Sequence, residues 1–104
     1  MEESLVKYIL LLSDEAKKDV LEIADWYESA RIGLGDAFIL SLEASFAQIT
    51  RNPKIFQLHE LGVRFAFTKR FPYRIIFEID GDIIVVYAIL HMKRNPTIWN
   101  ARLT

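Results

Sequence analysis

Seven basic side chains fall between residues 64 and 94: Arg64, Lys69, Arg70, Arg74, His91, Lys93 and Arg94. Arg and Lys hold phosphate or carboxylate oxygens through charge-assisted hydrogen bonds. Tyr87 lies among them and Trp99 follows them in sequence, and aromatic rings beside cations stack on bases. The same set suits an acidic peptide. A plainer reading stands beside both: Arg74 pairs with Glu78 along a strand, His91 is satisfied at a strand end, and Trp99 pins the tail to the core. Histidine is the natural general base near neutral pH, yet no nucleophile or acid accompanies His91 in a recognisable pattern. Ser41, Ser45 and Thr50 belong to a helical stretch and Thr68 lacks a nucleophile motif, so a hydrolytic triad fits poorly. His59 reads as a surface histidine in an irregular stretch, not as a metal ligand.

The elements that position these residues are legible around an Asp-Gly turn. Residues 71–79 (FPYRIIFEI) and 83–91 (IIVVYAILH) are apolar runs on either side of it. With Asp80-Gly81 as a two-residue type I′ loop, Phe77 faces Ile84 and Ile75 faces Val86. Tyr73, Ile75, Phe77, Ile84, Val86, Ala88 and Leu90 then share the core face. Arg74, Ile76, Glu78, Val85, Tyr87, Ile89 and His91 share the other, a half-exposed working face.

Upstream, residues 5–12 (LVKYILLL) are apolar at both parities apart from Lys7, which predicts a strand buried on both sides. Ser13 is placed to cap a helix with Asp14 and Glu15 in its first turn. Ala16, Val20, Ile23, Ala24 and Tyr27 form its apolar stripe, opposite a solvated acidic face. Residues 31–35 (RIGLG) break that helix. The pattern is not a phosphate loop, because it lacks GxxxxGK[ST] and follows no strand. A second helix runs from about Asp36 to Arg51 and stops before Pro53. Its buried stripe is Phe38, Ile39, Leu42, Ser45, Phe46 and Ile49. Residues 54–62 are irregular, and 63–71 (VRFAFTKRF) alternate as a half-buried strand. The expected fold class is α+β, one domain over residues 1–104 in the order β-α-α-β-β-β. An αα-hairpin packs on a small, mostly antiparallel sheet.

Bulk properties bound the function. The chain is 52% hydrophobic and has no cysteine, so disulfides and thiolate zinc sites are excluded. No apolar run approaches the roughly 18–20 residues of a membrane span, and a cytoplasmic protein with no membrane partner is expected. Residues 1–61 hold 6 Lys/Arg against 11 Asp/Glu, whereas residues 62–104 hold 7 against 3. The basic half either meets an acidic partner, nucleic acid or an acidic protein segment, or forms a dipolar surface with no partner. The overall net charge of −1 is low for a dedicated nucleic-acid binder.

One ordered set of motifs is specific. A first strand leads to a helix opened by Ser13-Asp14-Glu15-Ala16, and a second helix ends at Asn52-Pro53. Pro72-Tyr73-Arg74-Ile75 follows, then His91-Met92-Lys93-Arg94-Asn95-Pro96 and Trp99. This order resembles the ParE/RelE superfamily of toxins from type II toxin–antitoxin modules. The H-x-[KR]-R-x-P-x-x-W ending is similar to the ParE branch.

The resemblance implies a cognate antitoxin partner, no cofactor or metal, and one of two activities. ParE-like members bind and poison DNA gyrase. RelE-like members cleave mRNA on the ribosome; here that activity would fall to Arg74, His91 and Lys93. A homodimer or a toxin–antitoxin hetero-oligomer is the expected assembly, and a degenerate member that only binds its antitoxin is the third option. Aligned on Tyr73-Arg74, the RelE catalytic lysines fall at Phe65 and Phe67, the second arginine at Lys93 and the tyrosine at Trp99. Phe and Trp carry no acid–base group, and one lost general acid or base costs about 10²–10⁴ in rate. The residues therefore favour the ParE-like reading. The target- or antitoxin-binding set is Arg64, Arg70, Arg74, Tyr87, His91, Lys93, Arg94 and Trp99.

Overall fold

A computed structural model of the chain describes residues 7–94 and Arg102. Among these, strand β1 (Ile9–Leu12) leads into helix α1 (Asp14–Ala30) and helix α2 (Leu34–Arg51). Strands β2 (Gln57–Leu58), β3 (Arg64–Phe67), β4 (Tyr73–Asp80) and β5 (Ile83–His91) follow. The sheet order is β1-β5-β4-β3-β2, antiparallel except for the parallel β1–β5 pair. The helical hairpin packs on one sheet face, as expected from the sequence, and the irregular stretch contributes the additional short strand β2.

Local chemistry explains the helices. Ser13 caps α1, its Oγ accepting the Ala16 N–H at 3.1 Å. Gly33 sits at φ +90° before α2, a conformation costly for any residue with a Cβ. The Glu28 carboxylate, from the last turn of α1, accepts the N–H groups of Gly33 and Gly35 at 2.9 and 3.0 Å. One helix thereby satisfies the orphan donors that open the next. Phe38, Leu42 and Ile49 of α2 and Ala16 of α1 join Ile75, Phe77, Ile84, Val86 and Ile89 in the main core.

Four expectations are corrected. First, β1 is an edge strand: Ile9 and Leu11 are 57% and 50% exposed, while Leu10 and Leu12 pack on the core. A run apolar at both parities therefore did not mean burial on both faces. Second, the hairpin loop is Gly81-Asp82, with Asp80 paired to Ile83 and Phe77 to Val86. Only Gly81 of these loop residues takes positive φ, +63°; glycine first is the type II′ arrangement, not I′.

Third, a β-bulge separates Ile76↔Ala88 from Phe77↔Val86, so Tyr87 is the extra residue on β5. One inserted residue turns every later side chain to the opposite face. Ala88 and Leu90 therefore leave the helix side and cluster with Val63 and Ile76, while Ile89 joins the main core. Fourth, β3 ends at Phe67 instead of continuing to Phe71. The Thr68 N–H donates to Tyr73 O at 3.0 Å, and Arg70 takes φ +74°, so the chain turns there.

Candidate recognition face

The bulge divides the basic residues between two faces. On the face away from the helices, Arg74 stands opposite Phe67 of β3 and Leu90 of β5. Its guanidinium carbon lies 5.3 Å from the Phe65 ring centre and 5.9 Å from that of Phe67. These are cation–π distances. Arg74 Nε and Nη1 are buried, and among the described residues neither has a hydrogen-bond partner. His59 stacks on Phe65, with ring centres 3.7 Å apart and planes inclined by 20°. The sequence treated His59 as isolated because β2, which brings it beside β3, is only two residues long.

Tyr87 shares this face. Its hydroxyl donates to Glu78 Oε1 at 2.8 Å. Burial, and then the bond to Glu78, raises its pKa to about 12. Glu78 is thus engaged by Tyr87, and the expected Arg74–Glu78 pair is not formed. Arg64 is also occupied: its Nη1 donates to Phe56 O at 2.7 Å and Lys54 O at 3.2 Å, holding the loop after α2.

His91 lies on the other face, correcting its expected grouping with Arg74 and Tyr87. Its ring meets Tyr73 edge-on at 5.3 Å. It lines an open cavity of about 280 Å³ with Asp19, Glu22, Arg94 and Arg102. His91 Nδ1 accepts the Lys93 N–H at 3.1 Å. Lys93 and Arg94 are exposed in the turn after β5. Arg74, His91 and Lys93 therefore do not converge on one point. Lys69 and Arg70 occupy the β3–β4 turn, with the Arg70 guanidinium carbon 5.1 Å from the Phe71 ring centre. Trp99, with Asn95 and Pro96, lies outside the described residues.

One polar residue escaped the sequence reading. Asp19 Oδ2 accepts the Ile89 N–H at 2.9 Å and Arg102 Nη1 at 2.7 Å, while Oδ1 accepts Arg102 Nη2 at 3.2 Å. Arg102 also donates to Tyr87 O at 3.0 Å. Its pKa is raised, chiefly by the bonds to Asp19. The clasp satisfies backbone groups freed by the bulge. The available signal was a carboxylate bordering the apolar stripe, three residues after Ala16. Among the described residues, no group of three or more His, Asp or Glu side chains could hold a metal ion. No described helix is long and apolar enough to cross a membrane.

Comparison with known proteins agrees with this architecture. The chain is similar to a solved structure of the chromosomal ParDE TA system from P. aeruginosa. The TM-score is 0.74 at 18% identity, covering 84% of this chain and 98% of that one. It is also similar to the toxin–antitoxin complex RelBE2 from Mycobacterium tuberculosis. There the TM-score is 0.57 at 20% identity, covering 86% and 97%. No curated protein matches the sequence significantly. Two helices on a five-stranded mixed sheet are the fold of ParE/RelE toxins. The family model for the ParE toxin of type II toxin-antitoxin system, parDE, matches residues 10–96, and the chain belongs to that family.

Proposed function

We propose that this toxin acts by binding, not by hydrolysis. It inhibits DNA gyrase through the Arg74 face and is neutralised by a cognate antitoxin. The observation that carries the reading is the packing of Arg74 between Phe65 and Phe67. By the resemblance, these rings stand where RelE-like members carry their catalytic lysines, and phenylalanine supplies no proton donor or acceptor. The separation of His91 from Arg74 adds to this. Leaving a buried donor unpartnered costs about 1–3 kcal/mol, so Arg74 Nε and Nη1, which have no partner among the described residues, suit an anionic group arriving from a partner. The antitoxin is proposed because the similar structures are toxin–antitoxin complexes.

One observation favours the alternative, a ribosome-dependent endoribonuclease. His59 shares the Phe65 ring with Arg74, so an imidazole stands beside the stack that would hold a phosphate. Induced expression separates the readings. Gyrase inhibition produces growth arrest with an SOS response, whereas arrest without SOS, accompanied by transcript cleavage that His59→Ala abolishes, overturns it.

A further inference from the structure

A second cavity, of about 240 Å³, lies beside the β3–β4 turn, away from the Arg74 stack. Ser41, Ala44, Ser45 and Gln48 of α2 form one wall, and Lys69 and Arg70 form the other. Among the described residues neither cation pairs with a carboxylate, and no acidic side chain lines the cavity.

The turn carrying these cations is fixed from both sides. Ser41 Oγ donates to Lys69 O at 2.6 Å, tying it to α2. Thr68 is buried, and its Oγ1 donates to Phe71 O at 2.5 Å. Arg70 takes φ +74°, a left-handed conformation disfavoured for a side chain of this size. Glycine would occupy the position without strain. Strained residues persist where surrounding structure holds them, commonly at binding sites. The arrangement places a planar fork and a point charge side by side, with the Ser45 hydroxyl and the Gln48 amide as neutral donors.

We infer that this cavity receives an aspartate or glutamate side chain from an acidic segment of a protein partner. The inference rests on the reading above only in taking the partner to be a protein. A nucleic-acid strand fits less well. Phe71, whose ring centre lies 5.1 Å from the Arg70 guanidinium carbon, is buried and offers no stacking surface, and the net charge of −1 gives little attraction for a polyanion.

The test is an NMR titration of the full ¹⁵N-labelled chain with the blocked peptide acetyl-Glu-Asp-Glu-amide. The acetyl-Gln-Asn-Gln-amide counterpart and a short oligothymidylate serve as comparisons. The acidic peptide alone is expected to shift the amides of Ser41, Ser45, Gln48, Lys69 and Arg70. Lys69→Ala and Arg70→Gly should each weaken it about fivefold, the upper range for an exposed ion pair. Arg70→Gly should also raise Tm by relieving the left-handed strain, so lost binding cannot be ascribed to lost folding. Equal shifts with the neutral peptide, shifts with the oligonucleotide alone, or shifts confined to the Arg74 face overturn the inference. So does undiminished binding by Lys69→Ala. The titration contains no gyrase, so its failure and failure of the gyrase reading are separate results.

Discussion

Tyr73 and His91 stand directly opposite each other on β4 and β5, their rings 5.3 Å apart, on the sheet face that the helices cover. Arg74, the next residue after Tyr73, points to the other face and stacks with Phe65 and Phe67. The sheet itself therefore stands between the imidazole of His91 and the guanidinium of Arg74. A mechanism needing both at one phosphate has no place on this surface. One needing a cation framed by aromatic rings does.

The Asp19 clasp predicts a stability effect remote from that face. Asp19→Ala strips the Ile89 N–H of its side-chain acceptor and leaves Arg102 only Tyr87 O, and should cost about 1–3 kcal/mol. Urea denaturation reads the loss, and hydrogen exchange at the Ile89 amide should accelerate. Asp19→Asn keeps an oxygen for the amide and should lose less. Equal stability of wild type and Asp19→Ala would show that the clasp does not hold β5.

The helix crossing makes a second prediction. A Cβ added at Gly35 would lie 2.7 Å from Ala24 O and 3.0 Å from Glu28 Oε1. The first neighbour is backbone and cannot move aside. Gly35→Ala should destabilise the fold by about 1–3 kcal/mol through overpacking. Gly33 has nothing within 4 Å of an added Cβ, so Gly33→Ala incurs only its unfavourable positive φ. The denaturation midpoints of the two variants should rank accordingly, with Gly35→Ala the lower.

Alkaline pH probes both sheet faces. Burial, then the neighbouring Tyr27 hydroxyl, raises the Tyr73 pKa to about 12, and Tyr87 is likewise raised to about 12. The neutral phenols are favoured in the folded state relative to the ordinary value of 10.0. This contribution is present in full below pH 10 and is lost as pH rises through about 12. Urea midpoints should therefore fall between pH 10 and 12, and absorbance at 295 nm should show tyrosines ionising late. Tyr87→Phe should flatten part of that fall. A midpoint constant across this range contradicts the assignment.

The fold was readable because its strongest signals were local. Ser13 announces α1, Asn52-Pro53 ends α2, and the apolar stripes match the buried faces. The face of His91 was not readable, since a bulge at Tyr87 is set by pairing and not by periodicity. Within the β4–β5 hairpin, alternation assigned each side chain correctly up to Val86. Beyond it, the single extra residue moved Ala88, Leu90, Ile89 and His91 to the opposite faces from those expected. Leu61 at φ +64° and the two-residue β2 likewise leave little trace in sequence. They are what carry His59 to Phe65. The aromatic side chains at positions 65 and 67, by contrast, stand in the sequence itself, and the structure sets them as a frame for Arg74.

The central claim is tested most directly by gyrase supercoiling in the presence of the purified chain and its Arg74→Met variant. Among the described residues Arg74 Nε and Nη1 are buried without a hydrogen-bond partner; Met removes that cost and keeps apolar contact with Phe65 and Phe67 in place of the cation–π contacts, so the fold should be about as stable. The wild type should block supercoiling and cut no mRNA on ribosomes in EDTA, and Arg74→Met should lose the block while melting at about the same temperature. Unimpaired supercoiling together with metal-independent transcript cleavage by the wild type would contradict the account.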